Sequence, residues 1–462
     1  MPDTLNSASL FTEETEYRRD LGLLESTSIV IGRIIGSGIF RTPGPIMALV
    51  ACTSLFGLVW LLGGLVTIFG AVCYAELVAM MPKSGGPYVY LKAAYNPVWA
   101  FLRGWAMFFV SETGAIAAVA LVFAEYLNAL LILATGSSLS HPAVVVIALA
   151  TIWVLTAVNL FGVFLSGMVQ NFFSSIKIAA VLGIIFISFS SRGAVSNFTT
   201  PLWPEEFSWA TLLAVGAALR YSFFAFSGWE GATYVAEEVR NPRRNLPLSL
   251  LLGILGVLLL YLGANTAYLY QLPVEAIAGS KWVAADAMRV AVGSTGGILI
   301  SAAVMMNTFG NVSTQVLCKA RSWQAMARDG MFFKRFAPLH PKFLTPNSSL
   351  IAQGLWASVL LIFAACAKNS YEAIIDFFSA TGTVFNMMTF ASVFVLRRKY
   401  PDIERPYRAW FYPWSLIIIL VIYAAFLVIT LITAFVPSVM GLLLTCSGLI
   451  YYYGWIRKRE GV

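Results

Sequence analysis

Two short stretches hold the residues best placed to bind a ligand without a reactive side chain. One reads Ile34-Ile35-Gly36-Ser37-Gly38-Ile39-Phe40 and runs into Pro43-Gly44-Pro45. The other reads Phe224-Ala225-Phe226-Ser227-Gly228-Trp229-Glu230-Gly231. Clustered glycine and serine weaken a helix, and both stretches lie in long apolar runs, where every backbone group released from a helix needs another partner. Around Ser37, Gly38 and Ile39 the freed N–H groups would head a half-helix and attract a carboxylate. Near Phe224, Ala225 and Ser227 the freed carbonyls would end a half-helix and accept bonds from an ammonium group. Together they read as a receptor for the zwitterion of an α-amino acid. Close packing through small residues is the alternative for either stretch alone. Two such stretches separated by five apolar runs favour corresponding helices of an inverted repeat, which points to a transporter.

Charged residues inside apolar runs are the second signal. Lys177 sits mid-depth in the fifth run, where insertion costs about 2.5–3.5 kcal/mol. It could snorkel to the inner face, but at roughly 1.5 Å per residue it starts about 16 Å away. Arg33, Glu112, Arg220 and Glu230 are also buried by position, with both signs present. Arg33 and Glu230 fall on the same side of their breaks, which predicts a contact that helps close an inner gate. Glu112 is a rival partner for Arg33, and a plain position in vestibule water is the third option. In the eighth run Asn307, Asn311, Thr314 and Gln315 share one helical face. That stripe fits interhelical hydrogen bonding as well as it fits substrate lining.

The elements that must position these residues follow from composition. Of 462 residues, 59% are apolar and 11% charged, with mean hydropathy +0.79. A soluble domain cannot hide that much apolar surface. Apolar runs of the roughly 20 residues a bilayer needs are centred near 35, 66, 114, 152, 180, 223, 260, 308, 357, 384, 422 and 446, which predicts a twelve-helix, all-α membrane protein. Ser7 to Asp20 form a polar leader, and the first run is too long for a cleaved signal peptide and lacks an Ala-x-Ala-like exit. The segments 273–294 and 81–97 are loops, the former containing short surface helices.

The formal charge of +8 invites a nucleic-acid or anionic-lipid reading, but the placement of the cations explains it. With an inner N-terminus, only Arg192, Lys281, Arg289 and Lys368 fall outside. Clusters at 18–19, 83–103, 240–244, 319–342, 397–408 and 457–459 all fall inside. That asymmetry predicts both termini in the cytoplasm and requires no nucleic acid. The five cysteines (Cys52, Cys73, Cys318, Cys366, Cys446) show no paired spacing, and two histidines beside prolines, His141 and His340, make no metal site. An intramembrane enzyme lacks a His-rich site, a Gly-x-Ser-x-Gly elbow and a Gly-x-Gly-Asp pair. A channel or a receptor would differ from a carrier in unsaturable flux or in binding without flux. No cofactor is implied.

The motifs 34–40, Cys73-Tyr74-Ala75-Glu76-Leu77 and Pro82-Lys83-Ser84-Gly85-Gly86 resemble the APC superfamily, within it the L-type amino acid transporter branch. Glu237-Glu238, Asn241-Pro242, Arg244-Asn245-Leu246-Pro247, Phe309-Gly310, Arg321, Arg328-Asp329-Gly330, Thr345-Pro346 and Arg405-Pro406 continue the resemblance in order. It implies a LeuT-type fold with a leader (1–20), a 5+5 inverted-repeat core (21–400; repeats about 21–191 and 205–400) and helices 11–12 with the C-terminus (401–462). It implies sodium-independent transport, often by exchange. Ser37 and Gly38 would then hold the carboxylate, and Ile34 with the 224–227 backbone the amine, within a site spanning Ile34 to Ile39 and Phe224 to Gly228. Phe224 would be the aromatic lid. Lys177 would stand where sodium-coupled relatives bind a cation, its ammonium bonding carbonyls of span 1, and a proton released from it would permit symport. Segment 224–229 is most similar to alanine–serine–cysteine exchangers, which implies small neutral substrates. Vertebrate members tether a heavy chain through a cysteine after span 3. Leu130 to Pro142 has none, which implies a stand-alone, prokaryotic-type carrier in the plasma membrane. Arg33 departs from the family, which has a small polar residue there.

Overall fold

The computed structural model describes residue 11 and residues 19–161, 166–343 and 345–457, without the side chains of 166–175, 317 and 318. Most of the leader, Cys318, Lys458 and Arg459 therefore lie outside the described residues. The chain runs α1 (Leu23–Ile34), α2 (Gly38–Arg41), α3 (Pro43–Val50), α4 (Thr53–Met80), α5 (Pro87–Ala94) and α6 (Pro97–Ala106). A π-helical turn, Met107–Ser111, leads into α7 (Glu112–Thr135), then α8 (His141–Leu160), α9 (Ser166–Ser190) and α10 (Trp209–Ala225). A 3₁₀ segment, Trp229–Glu238, precedes α11 (Pro242–Gln271), α12 (Val274–Gly279), α13 (Val283–Arg328) and α14 (Asn347–Ala365). The chain ends with α15 (Ser370–Lys399), α16 (Trp414–Thr433) and α17 (Phe435–Tyr451). Prolines at first or second helical positions start several of these, at Pro43, Pro87, Pro97 and Pro242, where the missing N–H costs nothing.

Among the described residues, 11 helices are long and apolar enough to span a membrane. The remaining expected span, near 180, is α9, whose described apolar part, Ile176–Ser190, falls short of that length. The predicted surface helices between 273 and 294 are α12 and the start of α13, which kinks at Val292 and Gly293. α16 has mean hydropathy 3.0 yet only 28% of it is buried. Such a helix is stable only where its outer face meets lipid rather than water.

Packing pairs helices from the two halves of the chain. α7 lies along α13 and α4 along α11. These are spans 3 with 8 and 2 with 7, the pairs that an inverted 5+5 repeat makes equivalent. Between them run the two interrupted spans.

Candidate functional site

Span 1 breaks where its sequence predicts. α1 ends at Ile34, Ile35 leaves helical geometry (φ −69, ψ 89), and α2 restarts after Ser37. Span 6 breaks after Ala225, and Gly228 takes a left-handed conformation (φ 91) that suits glycine alone. The continuation, Trp229–Glu238, is 3₁₀ rather than α-helical. The two breaks touch. A Cβ on Gly38 would lie 2.5 Å from the Ala225 Cα, so only glycine permits the approach.

A cavity of about 1120 Å³ opens beside this contact. Ile34, Gly36, Ser37, Gly38, Phe224, Ala225, Ser227 and Gly228 line it, together with Arg33, Lys177 and Glu230. It runs past Leu21, Leu24, Glu25 and Glu238, on the face where both interrupted spans meet the chain's N-terminal end. Leu24 is 79% exposed there, so this face is open. Ile35, Ile39 and Phe226 do not line the cavity. Each is fully buried, and Phe226 packs against Trp60 and Tyr261 at 6.3 and 5.1 Å. Their side chains therefore leave the predicted site, and only their backbone remains near it.

The polar groups divide between unused donors and partly used acceptors. The hydroxyls of Ser37 and Tyr371 are buried neighbours, and neither makes a well-formed hydrogen bond. They stand beside the first N–H groups of α2, where the helix dipole favours an anion. On the acceptor side, the Tyr261 hydroxyl reaches the carbonyls of both Ile34 and Ala225, at 3.0 and 3.1 Å. The Phe224 carbonyl accepts from Ser227 N–H and Oγ at 3.0 and 2.7 Å. The Ile34 and Ala225 carbonyls each keep a second lone pair, whereas that of Phe224 already accepts twice, so Tyr261 sets how the break presents its acceptors. Asn307 donates to the Gly36 carbonyl (3.4 Å), Asn311 abuts Gly36, and Gln315 donates to Asn311 (2.7 Å). The polar stripe of α13 thus faces the break. Phe224 is half-buried between Tyr371 and Phe378, with ring centroids at 6.0 and 5.7 Å.

Lys177 is 7% exposed and donates from Nζ to the Gly32 carbonyl, one turn before the break in span 1 (3.2 Å). Arg33 and Glu230 share the cavity wall, but no ion pair joins them among the described residues. Arg33 instead lies against Gly228 and Gly231, with its guanidinium over the Tyr234 ring at 5.5 Å. Glu112 is taken by Lys319 (3.0 Å), and Arg220 by Asp376 (2.9 Å). Lys319 and Arg103, counted from sequence among inner loop cations, are 3% and 6% exposed and lie within spans. Tyr261, Tyr371 and Lys319 are the site residues that sequence reasoning missed. A tyrosine in an apolar run reads as core, and Lys319 sat beside an obvious surface cluster. No group of His, Cys, Asp and Glu suited to a metal occurs among the described residues.

Comparison with known proteins agrees with this architecture. The family profile "Amino acid permease" matches residues 21–456. The serine/threonine exchanger SteT of Bacillus subtilis (strain 168) is 31% identical over 456 residues, covering 98% of this chain and 100% of that protein. The b(0,+)-type amino acid transporter 1 of Mus musculus is 30% identical over 468 residues, covering 99% and 92%. The large neutral amino acids transporter small subunit 2 of the same species is 29% identical over 456 residues, covering 96% and 82%. Two interrupted spans meeting at a cavity inside a multi-helix membrane protein are the architecture such carriers need, and the chain belongs to the amino acid permease family of the APC superfamily.

Proposed function

We propose that this protein carries small neutral L-amino acids of the alanine, serine and cysteine type across the plasma membrane, without sodium, by obligatory exchange and alternating access. The observation that carries the reading is the contact of the two breaks at Gly38 and Ala225, at the head of a cavity open to one face. The α-carboxylate would take the N–H groups of Ser37 and Gly38 with the Ser37 hydroxyl. The ammonium would take carbonyls of Ile34 and of the 224–227 backbone. Phe224, wedged between Tyr371 and Phe378, would serve as the aromatic lid over the site. Among the relatives, SteT is named as a serine/threonine exchanger, which supports both exchange and a small substrate.

Lys177 supports sodium independence. Its ammonium bonds a carbonyl of span 1 beside the break, doing with a fixed charge what a bound cation would do. The cation asymmetry supports termini in the cytoplasm, and the open cavity would then face inward. The carrier would work alone, without a heavy chain. The same buried lysine favours a second reading, proton-coupled symport, in which Lys177 gives up a proton in each cycle, and a broader amino acid range goes with it.

Radiolabelled alanine uptake into proteoliposomes at equal pH without sodium separates the readings. Uptake that requires unlabelled alanine inside supports exchange. Uptake into empty vesicles that rises with an inward proton gradient supports symport. No alanine signal in either case refutes the small-neutral assignment.

A further inference from the structure

On the face opposite the open cavity the structure holds a second, smaller space of about 150 Å³, lined by Arg41, Glu125, Asn128, His141, Lys281 and Lys368 among others. Between the two spaces stands a short stack of side chains from three spans. The Arg41 Nε donates to Glu125 Oε2 at 2.8 Å, with the two side chains 3% and 10% exposed. The same guanidinium lies on the Tyr371 ring, 4.7 Å from its centroid. The other side of that unit reaches the substrate cavity, where the Tyr371 edge meets Phe224 at 6.0 Å. Its hydroxyl is buried beside that of Ser37, and neither is well bonded.

The surrounding backbone is equally closed. Tyr126 donates to the Phe40 carbonyl (2.7 Å) and Tyr268 to that of Ile39 (3.4 Å). α3 packs so closely on α12 that a Cβ at Gly44 would strike the Ser280 carbonyl. A buried ion pair contributes little net stability compared with apolar packing, but breaking one partner away is costly, which suits a contact that must be either fully made or fully parted.

The geometry points to a latch: Arg41, Glu125 and Tyr371 hold the opposite face shut, and Tyr371 is the group through which a bound carboxylate acts on it. This rests on the transport reading for its substrate, not for its barrier. A carboxylate seated at the start of α2 takes up the Tyr371 hydroxyl and fixes the ring on which Arg41 lies. With the site empty, that hydroxyl has no such anchor. Tyr371 is thus a specificity and positioning residue, and Arg41 and Glu125 are the two faces of the gate.

The test uses the full-length protein in proteoliposomes with a reporter, Ser379→Cys, placed on the cavity wall two turns below Tyr371. Labelling by a membrane-impermeant thiol reagent from the opposite face is compared with the parent lacking the reporter. Arg41→Met and Glu125→Gln should each raise that labelling at least fivefold, and Arg41→Glu with Glu125→Arg should return it to within twofold of the starting protein. Tyr371→Phe should leave empty-state labelling unchanged while raising the KM for alanine about tenfold, the loss of one hydrogen bond to a charged group. Unchanged labelling in Arg41→Met overturns the latch even if alanine is transported. Faster labelling supports it even if alanine proves the wrong substrate. A Tyr371→Phe variant with unaltered KM overturns the link to the carboxylate, and it does so without depending on how the charge swap folds.

Discussion

Replacing Gly38 by alanine tests the heart of the site, because the added methyl has nowhere to go. Its Cβ would sit 2.5 Å from the Ala225 Cα and 2.7 Å from the Ala225 Cβ, whereas ordinary contact begins at 3.4 Å. The two breaks must separate by the difference, 3.4 − 2.5, or ~0.9 Å. Overpacking of this kind costs about 1–3 kcal/mol, which should lower the melting temperature in detergent by a few degrees and leave the fold intact. The effect on binding should be larger. A shift of nearly an ångström misaligns the α2 N–H groups, and each lost hydrogen bond to a carboxylate is worth about 1.5–3 kcal/mol. The expected KM for exchange is therefore roughly ten to a hundred times that of the unaltered protein, measured as labelled alanine entering alanine-loaded proteoliposomes. A second substitution sharpens the test. Ala225→Gly removes the Cβ but not the Cα, so the Gly38→Ala/Ala225→Gly double variant should stay impaired. A Gly38→Ala variant with unchanged KM would refute the claim that the meeting of the breaks builds the site.

Lys177→Met removes the Nζ contact to Gly32 O and should cut sodium-free exchange more than tenfold while the protein stays monodisperse; near-normal exchange would deny the lysine its cation-like role. Lys319→Met leaves Glu112 charged in a buried place without its ion-pair partner, a loss of about 3–5 kcal/mol, and Lys319→Met with Glu112→Gln should recover most of the lost melting temperature. If the double variant melts no higher than the single one, the 3.0 Å pair is not what the lysine contributes. Arg33 and Glu230 share the wall of the open cavity, so the closed state is where they would meet. Arg33→Glu should slow transport, and adding Glu230→Arg should restore it; absence of rescue removes that pair from the closing step.

The interrupted spans were legible because glycine and serine stand out against a background of leucine, valine and isoleucine, and the spacing of five spans is visible without any coordinates. What each residue faces was not. Phe224 and Phe226 are two positions apart, about 200° around a helix, so one lines the cavity and the other packs on Trp60. Nothing in the local sequence says which. Lys319 looked like a loop cation because Arg321 and Arg328 follow it, but α13 continues to Arg328 and carries Lys319 about 13 Å inside. Several motif residues that suggested function turn out to be joints. Glu76 takes two hydrogen bonds from Arg397 (2.8 and 2.7 Å) and one from Ala409 N (2.7 Å), tying α4 to α15 and to the segment before α16. Arg405 donates to the carbonyls of Tyr400, Pro401 and Ile403 in the loop it closes and to that of Leu396 at the end of α15. The partners of Glu76 lie more than 300 residues away, beyond any local pattern.

The joints also constrain how the protein can move. Leu21 N–H donates to the Glu238 carbonyl (3.0 Å) and Arg240 N–H to that of Leu21 (2.8 Å), so the start of α1 and the end of the 3₁₀ segment form one short ladder. Arg33 fills the notch above Gly231 between the same two elements. The segment is further held by Glu237, which accepts from Ser84 N at 2.9 Å and so brings along the turn before α5. The halves of spans 1 and 6 on the open side are therefore one body. On the closed side α2 and α3 are fixed by Glu125, Tyr126, Tyr268 and α12. A rearrangement that shuts the cavity must then pass through the few residues between these bodies: Ile35 to Ser37 and Phe226 to Gly228. The single Tyr261 hydroxyl proton lies within reach of carbonyls in both breaks. In the proposed transport cycle Tyr261 would keep the breaks at a common distance while the bodies on either side rotate, as a substrate held by one break at each end would require.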